Sequence, residues 1–368
     1  MELFLASAVA LIAGLLMTRV AGKFNLPDVT AYLVAGVLVG PYVLGRLGVP
    51  GVGFTSMEQL APLSFISSTA LGFIAFTIGS EFILSELKKT GKTILVIGIL
   101  QALITAITVD IVLLIASVVI KGSISPAGAI VMGAIATATA PAATLMVVRQ
   151  YKAKGKVVDV LLPVVALDDA VGLAVFAVSY GVARAMSDGT VDLISIAVEP
   201  MLEIVLSLAL GAILGEVLTQ FEKLFNSGRN RMALIVGFVL LTVALSMLEL
   251  DIGPVHIGFS TLLVCMAMGV IFCNRCPFSD DLMNKADKWT SPLFAMFFIL
   301  SGAELELSVF RSGAVIGIGL LYILFRCVGK YFGARFSATI THSDPVIRKW
   351  LGITLFPQAG VALGMGVT

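Results

Sequence analysis

Leu167-Asp168-Asp169-Ala170-Val171-Gly172 lies about eleven residues into an otherwise apolar run spanning 157–185. A helix rises ~1.5 Å per residue, so the two carboxylates sit about 17 Å from its start, the middle of a bilayer whose hydrocarbon is ~30 Å thick. An acid at that depth costs about 2.5–3.5 kcal/mol, so two in succession point to a transport pathway rather than to packing. Neighbouring residues on a helix project about 100° apart, so the pair cannot share one partner equally. One is expected to face a water-filled cavity and the other a neighbouring helix, which gives them different roles.

The rest of the chain has the composition this reading needs. Of 368 residues, 58% are hydrophobic and 13% charged, and the mean hydropathy is +1.05. A water-soluble fold is excluded, and the apolar runs lack the in-out alternation of a transmembrane β-barrel. Net charge is +1, and two His with four Cys leave little for a metal site. The run from Met1 to Val20 has no cationic start or cleavage site and reads as a retained span.

Twelve spans are predicted, near 2–20, 28–43, 60–83, 93–120, 126–148, 157–185, 195–221, 231–250, 255–273, 290–310, 312–336 and 346–368. With the N-terminus outside, the clusters Lys88-Lys89, Arg149 to Lys156, Lys223 to Arg231, Arg275 to Lys288 and Arg335 to Lys349 all fall on cytoplasmic connections. Only Arg46, Lys121, Arg184 and Arg311 lie outside, as the positive-inside rule requires. Arg326 and Lys330 belong to no loop and sit within a span. The twelfth run stops at Val367-Thr368 without a polar exit, so the native chain is expected to continue.

Three further constellations place polar groups at mid-depth. Ala136-Thr137-Ala138-Thr139-Ala140-Pro141 centres the fifth span. Pro141 removes a backbone donor and threonine hydroxyls can satisfy freed carbonyls, so the helix is expected to break there. Phe356-Pro357-Gln358-Ala359-Gly360 does the same in the twelfth. One interrupted helix in each half of the chain is the pattern of an inverted-repeat transporter whose site lies where half-helix ends meet. In the eleventh span Gly329 and Gly333 form a small-residue face that admits another backbone, with Lys330 between them. A buried lysine needs an acid, and Asp168 or Asp169 is available at similar depth. The alternative is that Lys330 snorkels to the cytoplasmic interface. Asp110, in the outer half of the fourth span, reads equally as a funnel residue or a helix-packing hydrogen bonder. Cys273 and Cys276 form a lone pair with no second pair or nearby His, which argues against zinc.

These residues resemble the monovalent cation:proton antiporters of the Kef/Nap type. The resemblance rests on Asn25-Leu26-Pro27 with Leu33 to Pro41, on Leu71 to Phe82, on Phe297 to Gly302 followed by Leu305-Glu306-Leu307, and above all on the Asp-Asp pair and Gly329-Lys330. It implies an all-α inverted-repeat fold of thirteen helices, the last missing here, with two crossed, interrupted helices and a homodimer. Dimerisation helices would occupy 1–92 and 231–311, core helices 93–186 and 312–368, and a connector 187–230. It further implies electrogenic exchange of Na⁺ for H⁺ across the plasma membrane by alternating access, with no cofactor beyond the transported ions, no nucleic-acid partner and no enzymatic activity. Asp169 would be the principal Na⁺ carboxylate and Asp168 the partner of Lys330, with Thr137, Thr139, Pro141, Pro357 and Gln358 at the crossing. Some relatives place an acid or arginine after the proline of the twelfth helix, where Gln358 offers an amide. The alternatives are exchange of K⁺ or Li⁺, including a Kef-type K⁺ efflux system, and a cation channel, although no selectivity-filter repeat is present. An intramembrane aspartyl protease needs its two acids on separate helices, which an adjacent pair cannot supply.

Overall fold

The computed structural model describes residues 2–24, 26–49, 51–80, 84–120, 124–188, 199–248, 250–252, 255–308 and 312–358; some side chains within these segments, Pro141 and Asp169 included, lie outside the described set. The described chain is an assembly of helices with one short hairpin, and the helices fall on the apolar runs. They are α1 (Glu2–Lys23), α2 (Asp28–Val39), α3 (Ser64–Ser80), α4 (Leu84–Val119), α5 (Pro126–Ile135), α6 (Pro141–Gln150), α7 (Lys156–Asp188), α8 (Glu199–Glu222), α9 (Gly228–Ser246), α10 (Thr261–Arg275), α11 (Ser279–Ala303), α12 (Gly313–Ile340) and α13 (Pro345–Thr354). Among the described residues, seven helical stretches are each long and apolar enough to cross a membrane unaided.

The fifth run is two helices. Ser125 caps α5 by accepting from the Gly128 amide at 3.0 Å, with Pro126 at the first helical position. The α5 helix ends at Ile135, and α6 restarts with Pro141 at its own first position. A proline is tolerated there because the missing N–H would have had no intrahelical partner. The same device starts α13: Asp344 accepts from the Val346 amide at 2.9 Å and Pro345 follows it. The α13 helix ends at Thr354, before Pro357, and the part of the predicted twelfth span after Gln358 lies outside the described residues.

Several boundaries differ from the sequence reading, the start of α4 at Leu84 rather than 93 among them. The predicted eighth and ninth spans run into 250–257, where the chain forms a two-stranded antiparallel hairpin, Leu250–Ile252 with Val255–Ile257. Gly253 and Pro254 in that sequence are poor helix formers, which apolar content alone does not register. The helix predicted from 290 begins at Ser279. Its first turns carry the spaced charges Asp281 and Lys285, paired at 2.5 Å, which extend a helix beyond its apolar part.

Packing sorts the helices into two sets. The first contains α4, which lies against α12, α5 and α7, with α13 against α12 and α7. Ile94, Ile97, Val164, Ala334, Ala338 and Leu351 form its inner apolar core. In the second set α10 packs on α3 and α8, and α11 on α2 and α3. Between the sets, α6 contacts α2 and α3, so Ala140, Ala143 and Leu145 share a cluster with Phe73, Phe76 and Phe298. The two helix breaks lie inside the first set.

Candidate functional site

The site is assembled on one face of α12, where Tyr322, Arg326 and Lys330 succeed one another at four-residue spacing and are all buried. Next to them the glycine face predicted from sequence meets α4. A Cβ on Gly329 would lie 2.8 Å from the Thr105 Cα, and one on Gly333 3.0 Å from the Gln101 Cα. Only glycine permits that approach, and it brings the α4 side chains to the centre of the structure.

Lys330 carries the one charge pair among the described residues in which both side chains are fully buried. Its Nζ lies 2.8 Å from Asp168 Oδ2, and both side chains are 0% exposed. The ammonium also donates to the Thr137 carbonyl at 2.5 Å and the Thr139 hydroxyl at 3.0 Å. Thr139 in turn donates to Asp168 Oδ2 at 2.5 Å, and Gln101 Nε2 donates to Asp168 Oδ1. Both carboxylate oxygens therefore accept, from donors on α12, on α4 and in the break between α5 and α6. Lys330 does not snorkel. With its charge paired and hydrogen-bonded, it has no need of the interface.

Around this pair the two breaks are tied together. The Ala140 amide donates to the Pro357 carbonyl at 2.9 Å, and Gln358 Nε2 donates to the Ile135 carbonyl at 2.9 Å. Gln358 Nε2 also lies 2.8 Å from the Tyr322 hydroxyl. Arg326 spans both breaks: Nε donates to the Ala136 carbonyl at 3.1 Å, Nη2 to Ala138 at 2.7 Å and Nη1 to Phe356 at 2.6 Å. Carbonyls at the end of a helix lack intrahelical partners and carry its partial negative charge. Arg326 and Lys330 satisfy both needs, placing two cations against the C-terminal end of α5 and one against that of α13.

Of the residues singled out from sequence, Asp168, Lys330, Thr137, Thr139, Pro357 and Gln358 are brought together here. Pro141 opens α6 immediately beside them, its side chain outside the described set. Asp169 follows Asp168 on α7, and its side chain also lies outside the described residues. Asp110 is placed elsewhere. It packs into a notch on α5, where a Cβ added to Gly133 would overlap its Oδ1, and that oxygen has no hydrogen-bond partner among the described residues. Three participants escaped the sequence reading: Gln101, Tyr322 and the carbonyl-binding role of Arg326. Arg326 was visible as a second intramembrane cation one turn from Lys330. Gln101 was visible as an amide within an apolar run, a weaker signal.

Broken helices crossing around a buried charge pair are the architecture of secondary transporters. The chain belongs to the sodium/hydrogen exchanger family, whose transmembrane model matches residues 7–366. It is similar to Na(+)/H(+) antiporter 1 of Methanocaldococcus jannaschii, at 25% identity over 349 residues covering 90% of this chain and 77% of that one. It is also similar to cation/H(+) antiporter 19 of Arabidopsis thaliana, at 24% identity over 83% of this chain, but it spans only 38% of that protein's length. The solved structure of the sodium proton antiporter of Methanocaldococcus jannaschii at pH 8 shares the fold, with a TM-score of 0.72 at 20% identity, covering 100% of this chain and 86% of that one. An electron-microscopy map of that antiporter gives a TM-score of 0.75 at 17% identity, over 98% and 83% of the two chains.

Proposed function

We propose that this protein is a secondary antiporter that exchanges Na⁺ for H⁺ by alternating access, and that the exchange is electrogenic. The observation that carries this reading is the fully buried Lys330–Asp168 pair at the crossing of the two breaks. A carboxylate is a hard oxygen ligand that takes either a proton or a sodium ion, so competition for it couples the two fluxes without a further energy source. Asp169 is the principal ion carboxylate. Asp168 holds Lys330 while the site is without sodium. Arriving sodium weakens that pair, and a desolvated ammonium freed of its acid can release its proton. Two protons against one Na⁺ moves net charge, worth ~2.3 kcal/mol per charge per 100 mV.

In this reading 93–186 and 312–368 form the moving core, 1–92 and 231–311 the scaffold of a homodimer, and 187–230 the connector. The N-terminus faces outward from the plasma membrane. The names of the relatives, one a sodium and one a broader cation antiporter, support exchange and keep K⁺ or Li⁺ as the second reading.

The test is proton flux in proteoliposomes after addition of each cation in turn. Wild-type protein should move protons on sodium addition, with a sodium affinity that rises with pH until the carboxylate is ionised. Asp169→Asn should abolish the flux while leaving thermal stability equal or higher, because a buried ion-binding carboxylate is a cost to the fold. Sodium-driven flux in Asp169→Asn would remove this residue from its role.

A further inference from the structure

We propose that Gln101 is a ligand of the transported cation and sets which monovalent ion the site prefers. The inference rests on the exchange reading above and adds to it a residue from α4.

Gln101 stands on α4 and is 0% exposed. The Gly333 contact fixes its backbone against α12, so its side chain extends across the site toward α7. Its amide nitrogen uses both donors, one to the Gly98 carbonyl at 3.1 Å and one to Asp168 Oδ1. These two acceptors settle which way the amide points, since the reverse orientation would set an oxygen against a carboxylate and a carbonyl. The Oε1 oxygen is then left buried, with no hydrogen-bond partner among the described residues.

A buried acceptor without a donor is destabilising, and the helix bearing it would tolerate leucine at no such cost. A neutral, dehydrated oxygen on the same amide whose nitrogen meets Asp168 is, however, what a dehydrated alkali cation requires. Carboxylate oxygens supply charge, and amide oxygens complete the shell that water gave up. The two ends of one side chain thus act on the same ion. The nitrogen holds Asp168 in place, and the oxygen replaces a water of hydration. How well that replacement works depends on ion radius, because the oxygen's position is fixed by α4. Gln101 is therefore a selectivity residue, distinct from the carboxylates that bind every competing cation and the proton alike.

The experiment measures apparent KM for Li⁺, Na⁺ and K⁺ at one pH in proteoliposomes, for wild type and for Gln101→Met, which keeps volume and removes both polar ends. A ligand role predicts that the KM values change unequally, with the ratio between the best and second-best cation shifting by about tenfold, the effect of ~1.4 kcal/mol. A role confined to holding Asp168 would change all three values by one factor, and that result overturns the proposal. So does an unchanged set of values. Gln101→Asn retains the amide on a stem one methylene shorter and should shift the same ratio in the same direction. It serves as the deciding variant should Gln101→Met not fold. Absence of cation-driven proton flux in the wild type would instead defeat the exchange reading itself, so the two failures are told apart.

Discussion

Two lysine–aspartate pairs join helices of the same packing set, and they differ in almost everything except length. Lys330–Asp168 links α12 to α7 at 2.8 Å with both side chains at 0% exposure. Lys156–Asp344 links the start of α7 to the cap of α13 at 2.6 Å, with side-chain exposures of 70% and 26%. Distance alone would rank the outer pair first. Solvation reverses the order: an exposed pair exchanges one good environment for another, whereas each member of a buried pair depends on the other for a tolerable one. Buried charge is thus the more fragile arrangement and the more responsive to a competing ion.

Breaking the inner pair should give the largest effect. Lys330→Gln leaves Asp168 buried without its cation and is expected to cost about 3–5 kcal/mol of stability, read as a fall in unfolding temperature of the detergent-solubilised protein. In liposomes with an imposed potassium-diffusion potential, the same variant should retain exchange but lose its dependence on voltage. Full voltage dependence in Lys330→Gln would make the lysine structural only.

A smaller effect should follow from disturbing what keeps that pair dry. Gly329→Ala puts a methyl 2.8 Å from the Thr105 Cα, which forces α4 from α12. An overpacked contact of this kind is expected to cost about 1–3 kcal/mol. Combining it with Lys330→Gln should cost less than the sum, since water admitted to the site relieves the stranded acid.

The outer pair should give the smallest effect. Lys156→Gln is expected to leave the unfolding temperature unchanged within error, in low salt as in high. The hydrogen bond from Lys156 holds the Asp344 carboxyl below the usual aspartate range, helped by the Val346 amide, and raises the lysine in return. A depressed carboxylate contributes stability above its unfolded value, and the contribution disappears as pH falls through the lower folded value. Any loss on Lys156→Gln should therefore be seen at neutral pH and vanish in strong acid. A large loss at neutral pH would mean that exposure is a poor guide to which pair matters.

The helical fold was legible because the apolar runs are long and the charges between them follow one rule of orientation. The break between α5 and α6 and the end of α13 could be read because proline leaves only a few places for a helix to end. The short hairpin at 250–257 was not, since a window on hydropathy cannot separate a strand from the tail of a span. Within the site, acids and bases at mid-depth announce themselves by their cost, which is why Asp168 and Lys330 stood out. Gln101 and Tyr322 did not, because an amide or a phenol in an apolar helix is cheap enough to be ordinary. The three carbonyls held by Arg326 had no signal at all, for every residue has a carbonyl and only the crossing decides which are left over.

The reach of Arg326 has a consequence for how this protein is made. It donates to Ala136 across 190 residues of chain and to Phe356 only 30 residues ahead. At ~5–20 residues per second, the first break waits about 10–40 s in the membrane before its arginine is synthesised. During that interval its carbonyls need lipid headgroups, water or the insertion machinery as temporary hosts. The crossing is then completed when α12 arrives with both cations and α13 closes behind it. A nascent chain halted before residue 326 should accordingly hold its completed apolar runs in the bilayer yet leave a cysteine introduced within 136–140 open to labelling, and lose that reactivity once the arginine has passed the ribosome.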